Sequence, residues 1–394
     1  MKKHGGVNLA FEKPTSEPFA DYFGDVIAPF KVLGLYLSDA TRTPSSSPRA
    51  IGILFGVYTV LILLLKLRFH PIANRFDAMF LLESIMMTVR CLSIIASFLA
   101  ASRRLGVLTA SIQNFDAKMP RPVAQERRPL LWWSFYAIAV VYVGFLVRES
   151  YLHNVHLHRI GNGYGKVAFV IACLLDYPVA FFWLVCPIPF LVLCQQLTRR
   201  FESLQSLLEA QLAGIVARDR LAGNPQNSIE NVRLLHAELT GLAELFGSSF
   251  GLYLTNYFLF TFLKQLILFY KCLYVTKKFK LIRILLFVQT WVGAFLHSSF
   301  SEALMASSSK IIEVLRSCPT TKLPTLHCQE QVLLFTTQLQ TAKLTITASE
   351  LFTVDRQLLT SMIMAVTTYI IVIIQLTPDI NLILSRFNLN ETAH

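Results

Sequence analysis

Seven stretches of the chain are apolar for about twenty residues each, the length that crosses the roughly 30 Å hydrocarbon core of a bilayer as a helix. They are Ile51–Leu67, Phe80–Ala100, Leu130–Val147, Val167–Cys194, Phe246–Tyr270, Ile282–Phe300 and Leu358–Leu376. The fourth is long and carries Pro178, Pro187 and Pro189, so it is expected to kink.

Between the spans the apolar residues recur at helical spacing. Leu204, Leu207, Leu208, Leu212 and Ile215 continue the fourth span as an amphipathic helix. After a turn at Ala222–Asn227, Leu234, Leu235, Leu239 and Leu242 lead into the fifth. Ile311, Ile312 and Leu315 extend the sixth, Pro319–Pro324 interrupts, and Gln329–Leu344 resumes. These pieces predict a helical domain built from the extended spans, on the side where the even-numbered spans end. Phe19–Leu37, half apolar, reads as a helix at the membrane surface, and Thr41–Pro48 as a linker.

Composition sharpens this picture. The 394 residues are 54% hydrophobic and 15% charged, with net charge +12. A soluble domain carries about 25% charge, so a soluble globule and a disordered chain are both excluded. Lys2, Lys3 and Lys13 have no apolar core behind them, so no signal peptide is expected. With the N-terminus cytoplasmic, inner segments hold 22 Lys and Arg and outer segments 12, which favours that orientation. Arg103–Arg104 and Arg199–Arg200 read as stop signals, and the Lys271–Arg283 loop dissents. The seven cysteines show no framework spacing.

No metalloprotease helix, phosphate loop or paired-cysteine metal pattern occurs, so no cofactor or metal is expected and no enzyme chemistry is indicated. Gly161–Lys166 reads as a turn, and His153, His156 and His158 as polar loop residues. Ionisable residues within spans are costly and therefore informative. Glu83 and Arg90 lie two turns apart on one face of the second span, where an internal ion pair needs bent side chains or a third partner. Glu83, Tyr142, Asp176, Lys264, Gln265 and Gln289 share the outer depth of five spans. They either line a ligand cavity open to the outside or bond one another and hold the bundle together.

The seventh span is the sharpest feature. At 100° per residue, Thr360, Met364, Thr367, Thr368, Ile371 and Gln375 fall in one stripe about 100° wide. Ala365, Val366, Tyr369 and Ile373 form the opposite face. One chain can bury such a stripe in its own bundle, or copies can turn it to a shared axis and line a pore closed by dewetting.

Thr368–Leu376 resembles the signature of insect gustatory receptors, Thr-Tyr, five hydrophobic residues, Gln and Phe, with Leu376 in place of the final Phe. Glu350–Leu359, Phe246–Gly247 and Ile27–Leu35 are similar to other parts of that family. The resemblance implies a ligand-gated, non-selective cation channel with a cytoplasmic N-terminus. It implies a homotetramer, or a hetero-oligomer with sister receptors, assembled around the seventh helix. It places the gate at Gln375 and Leu376 and a ligand pocket in the outer part of each subunit.

The expected fold is therefore all-α and polytopic, with seven transmembrane helices. Residues 1–50 form a cytoplasmic segment with a membrane-proximal helix. Residues 51–300 form a six-helix bundle with the ligand cavity, including cytoplasmic helices over 197–245. Residues 301–357 are cytoplasmic helices, 358–378 the pore-lining helix and 379–394 an extracellular tail. The expected function is a taste receptor in the plasma membrane of sensory neurons, opened by a small-molecule tastant, a bitter compound ahead of a sugar. Its partners are the tastant, permeant cations and membrane lipid, and nucleic acid is not among them. A G-protein-coupled receptor and a transporter are the alternatives.

Overall fold

The computed structural model describes residues 53–64 and 136–144 except 62 and 142, 75–119, 181–216 except 183, 225–274, 280–318 and 326–376. Its main helices are α1 (Arg75–Lys118), α2 (Ile188–Val216), α3 (Pro225–Tyr274), α4 (Lys280–Ser317), α5 (Leu326–Thr341) and α6 (Arg356–Leu376). Residues 53–61, 63–64, 136–141, 143–144, 181–182 and 184–185 are also helical. A short antiparallel hairpin, β1 (Thr347–Ala348) and β2 (Phe352–Thr353), joins α5 to α6.

Three of the described helices are long and apolar enough to cross a membrane. At 1.5 Å per residue, α1 with 44 residues runs about 66 Å and α3 with 50 about 75 Å. Each is more than twice the depth of a hydrocarbon core, so both continue far beyond their spans. This is the extended-helix architecture expected from the apolar spacing, with one difference. The sequence reading placed a membrane stop signal at Arg103–Arg104 and no helix beyond it, and α1 continues past both arginines to Lys118. Both arginines are exposed, while Leu105, Leu108, Ile112 and Phe115 keep the helical period and are fully buried.

The extension packs around one apolar core. Leu204 and Leu208 of α2, Ile311 and Leu315 of α4, and Val332, Phe335 and Leu339 of α5 all point inward. The buried stripe of α3 is Ile229, Val232, His236 and Leu239, whereas Leu234 faces out. His236 takes the inward place because its ring fits edge-on between Phe201 and Phe335.

At the turn before α2, the Cys186 N–H donates to Phe182 O at 2.9 Å and the helix resumes at Ile188. Pro187, which has no N–H to offer, occupies the kink. The five described cysteines, Cys91, Cys186, Cys194, Cys318 and Cys328, are free thiols. Burial pushes the Cys318 thiol pKa up, which keeps it in its unreactive protonated form.

The hairpin is held tightly. Ser349 (φ 48°) and Glu350 (φ 61°) are both left-handed, and the Leu351 N–H closes the turn on Ala348 O at 3.0 Å. The turn lies on α3 at Gly251, where a Cβ would stand 2.9 Å from the Ser349 backbone nitrogen. Gly251→Ala is therefore expected to displace the hairpin. The overpacking costs about 1–3 kcal/mol, more than the roughly 1 kcal/mol that alanine gains in a helix. Gly241→Ala, on the same helix with nothing within 4 Å, should stabilise instead. Thermal midpoints of the two variants in detergent should move in opposite directions.

Candidate functional site

Two sets of side chains hold the described residues that the sequence singled out: the last helix and a charged cluster inside the bundle.

The last helix, α6, is started by its own cap. Asp355 accepts the Leu358 N–H at 2.8 Å, satisfying an orphan donor of the first turn. The Arg356 guanidinium pairs with Glu302 of α4 at 2.9 Å, which ties the start of the helix to the bundle. Met362 and Val366 are its buried residues, and the Tyr369 ring meets Phe262 of α3 edge-on at 5.8 Å. These three lie on the side opposite the polar stripe. Thr360, Met364, Thr367, Thr368, Ile371 and Gln375 are all exposed, turned away from the chain's own bundle. Leu376 is the last helical residue, and its side chain is outside the described residues.

The stripe's hydroxyls have a polarity. Thr360, Thr367 and Thr368 each donate to the carbonyl four residues back, at 3.2, 2.8 and 3.0 Å. With the proton committed to the helix backbone, what each threonine presents outward is oxygen lone pairs. A column of acceptors suits a cation and not an anion.

The charged cluster follows from the pairing of α1 with α3. The two helices run antiparallel. Lys118 bonds Glu238 at 2.7 Å, Arg104 donates to Ser248 O at 3.3 Å, and the Asn256 amide donates to Ser97 Oγ at 3.0 Å. The same register sets Lys264 opposite the stretch between Glu83 and Arg90. Lys264 stands in electrostatic range of both. Arg90 is 1% exposed and Lys264 5%. The Arg90 guanidinium carbon lies 6.0 Å from the centre of the Tyr257 ring, a cation–π distance.

Of the expected ligand-binding residues, the structure brings Glu83 and Lys264 together. Gln265 is fully buried, its amide donating to Phe287 O of α4 at 3.3 Å, and its Oε1 has no hydrogen-bond partner among the described residues. Gln289 lies on α4, half-buried. Tyr142 and Asp176 are outside the described residues, as are His153, His156 and His158. Arg90, for which the sequence reading offered an ion pair with Glu83, also lies within electrostatic range of Lys264. Its signal was the rarity of arginine inside a span.

Below the cluster runs a chain of aromatic and polar contacts. The Tyr257 ring lies tilted by 31° against His297 of α4, centroids 4.1 Å apart, and its hydroxyl packs against Gly293. A carbonyl can only accept, so His297 Nδ1 donates to Gly293 O at 2.8 Å. In the neutral ring Nε2 then accepts from the Tyr253 hydroxyl at 3.0 Å. Phe258, on the next turn of α3, meets both His297 and Phe352 of the hairpin that leads into α6. The cluster and the last helix are thus bridged through α3.

Residues 125–377 match the model of a family described as 7tm chemosensory receptor. No curated protein matches the chain. Among solved structures, the chain resembles the insect olfactory receptor OR5 from Machilis hrabei in complex with eugenol. The TM-score is 0.70 at 16% identity, over 91% of this chain and 98% of that one. A second structure of the same receptor gives 0.69 over the same shares. At that identity the likeness is one of fold.

Proposed function

This chain belongs to the 7tm chemosensory receptor family, and on that premise we propose that it is a taste receptor working as a ligand-gated, non-selective cation channel. Four copies assemble with their α6 helices around a common axis. Thr360, Met364, Thr367, Thr368, Ile371 and Gln375 face the path, and Gln375 and Leu376 narrow its outer end. The N-terminus is cytoplasmic, and the protein works in the plasma membrane of sensory neurons. The ligand is a small molecule, bitter or otherwise aversive ahead of a sugar, received in the outer part of the bundle. The solved relative in complex with eugenol supports a small-molecule ligand.

One observation carries this reading. In α6 only 11% of the apolar window is buried within the chain, against 50% and 56% in the other two candidate spans. A helix left so bare, with its polar stripe turned outward, has little of its surface covered by its own subunit. Lipid suits its apolar flanks but not a column of Thr and Gln, since polar groups facing hydrocarbon are costly. Neighbouring copies around a hydrated axis cover both. The committed Thr protons favour cations along that axis.

Whole-cell recording of the chain expressed alone, in cells lacking G-protein signalling, tests the reading. A panel of small molecules should evoke direct cation currents. Ligand responses that appear only when a G protein is restored would replace it with the receptor alternative.

A further inference from the structure

We propose that Arg103 and Arg104 of α1 bind the headgroup of an anionic phospholipid, at the level where the helix leaves the membrane. This goes beyond the receptor reading above. It takes from that reading only the cytoplasmic N-terminus, which makes the leaflet concerned the inner one.

The exposed side of α1 changes character at one level. Leu82, Val89 and Ala96 are exposed and stand seven residues apart, on one side of the helix, and Ala100 lies exposed one turn further. Arg103 continues the series and Arg104 follows it, both exposed. The antiparallel α3 makes the same change. Leu263, Leu259 and Leu252 are exposed, and the next exposed residue after them toward the extension is Ser248. Arg104 Nη1 donates to Ser248 O at 3.3 Å, so the two helices reach the boundary side by side. Bare leucine and valine suit hydrocarbon, and a bare guanidinium does not. The step from Ala100 to Arg103 is therefore where acyl chains give way to headgroups.

Both guanidinium groups are open to a further partner. Among the described residues Arg103 has no hydrogen-bond or ion-pair partner. Arg104 is steadied by Ser248 O and keeps the rest of its fork. The acid nearest along α3, Glu244, is exposed one turn beyond Ser248 and pairs with neither. A planar fork accepts two phosphate oxygens at once, and neighbouring helix positions 100° apart let two forks approach one headgroup from two directions. An anionic headgroup fits the charge, and its acyl chains fit the exposed leucines of α3 above it. The site also adjoins the seat of the hairpin. Ser248 lies three residues before Gly251, against which the turn leading to α6 packs. A phosphate that competes for the Arg104 fork acts next to that seat.

The test measures thermal stabilisation of the purified full chain in detergent by short-chain lipids of equal chain length. The lipids are phosphatidylinositol bisphosphate, phosphatidylserine and phosphatidylcholine, with free inositol trisphosphate as the arm without acyl chains. Phosphatidylinositol bisphosphate should act at a concentration about tenfold or more below phosphatidylcholine, with phosphatidylserine between them. Arg103→Gln and Arg104→Gln should each weaken that preference about fivefold, the effect of one cation near an anionic surface. The double Gln variant should abolish it, and the double Lys variant should keep most of it and so report on charge rather than folding. Arg316→Gln should leave it unchanged. That residue is exposed on α4 about 30 Å beyond Phe295, the last exposed large apolar residue of its helix. Equal potency of the three lipids would overturn the proposal. So would a preference that survives in the double Gln variant, even one accompanied by lost self-association, which would assign the arginines to a neighbouring copy. Free inositol trisphosphate as potent as the lipid would replace the lipid with a soluble phosphate. Because the assay is done in detergent and reads no current, its outcome is independent of the orientation of the chain and of the channel reading, which the recording above tests.

Discussion

Arg200→Met is expected to cost the folded chain about 3 kcal/mol, at the low end of the 3–5 kcal/mol for breaking a buried ion pair. Arg200 is 1% exposed and grips Asp116 of α1 with both arms of its fork, Nη2 to Oδ2 at 2.6 Å and Nε to Oδ1 at 2.8 Å. Its Nη1 donates to Gln196 O at 2.8 Å and to Gln196 Oε1 at 3.2 Å. Methionine fills much of the volume but offers no proton to any of these oxygens. Asp116 keeps 28% of its side-chain surface, so water recovers part of its lost solvation. The measurement is the thermal or denaturant midpoint of the purified chain, with Asp116→Asn beside it. Asp116→Asn alone should also destabilise, since a guanidinium buried without its anion costs more than the reverse. The double variant Arg200→Met/Asp116→Leu should recover much of the loss, because a packed apolar pair removes both desolvation penalties. An unchanged midpoint in Arg200→Met would show that the pair does not lock α1 to α2.

The largest functional effect is expected at Gln375. If the stripe of α6 lines a conduction path, Gln375→Ala removes a polar side chain from its narrow end. Unitary conductance should then shift by about twofold or more, or the closed state should leak, because an apolar constriction closes by expelling water and depends on its bore. Leu376→Ala should raise the leak further by widening the constriction. Val366→Thr, on the buried face of the same helix, should alter assembly or expression and leave conductance alone. Single-channel recording at matched surface expression separates these outcomes. Normal conductance and no leak in both Gln375→Ala and Leu376→Ala would remove the end of α6 from the ion path.

The fold was legible where periodicity is strong and local. On α6 the wheel set Val366 and Tyr369 opposite the polar stripe, and those are residues that meet the chain's own bundle. The inward faces of α2 and α4 were equally plain. Elsewhere local signals fell short. Two adjacent arginines mark a membrane stop but say nothing of where the helix ends, and α1 passes through them with both on its exposed side. Hydrophobicity ranks Leu234 above His236 for burial, yet two aromatic neighbours from other helices reversed the order. The hairpin gave no turn signal, since its left-handed residues are Ser349 and Glu350 rather than Gly or Asn. It exists because a glycine about one hundred residues earlier leaves room for it. The level at which Lys264 stands opposite α1 depends on the register between helices far apart in sequence, which no local window contains.

The unbroken α3 has a mechanical consequence. Gly251 and its seated turn lie near the middle of a rod about 75 Å long. A stiff rod pinned at its waist behaves as a seesaw. A tilt of about 3° about that fulcrum carries each tip about 2 Å, in opposite directions. A push against the Lys264 arm and a shift of the opposite arm, where Arg233 meets Gln338 of α5, are then two readings of one rotation.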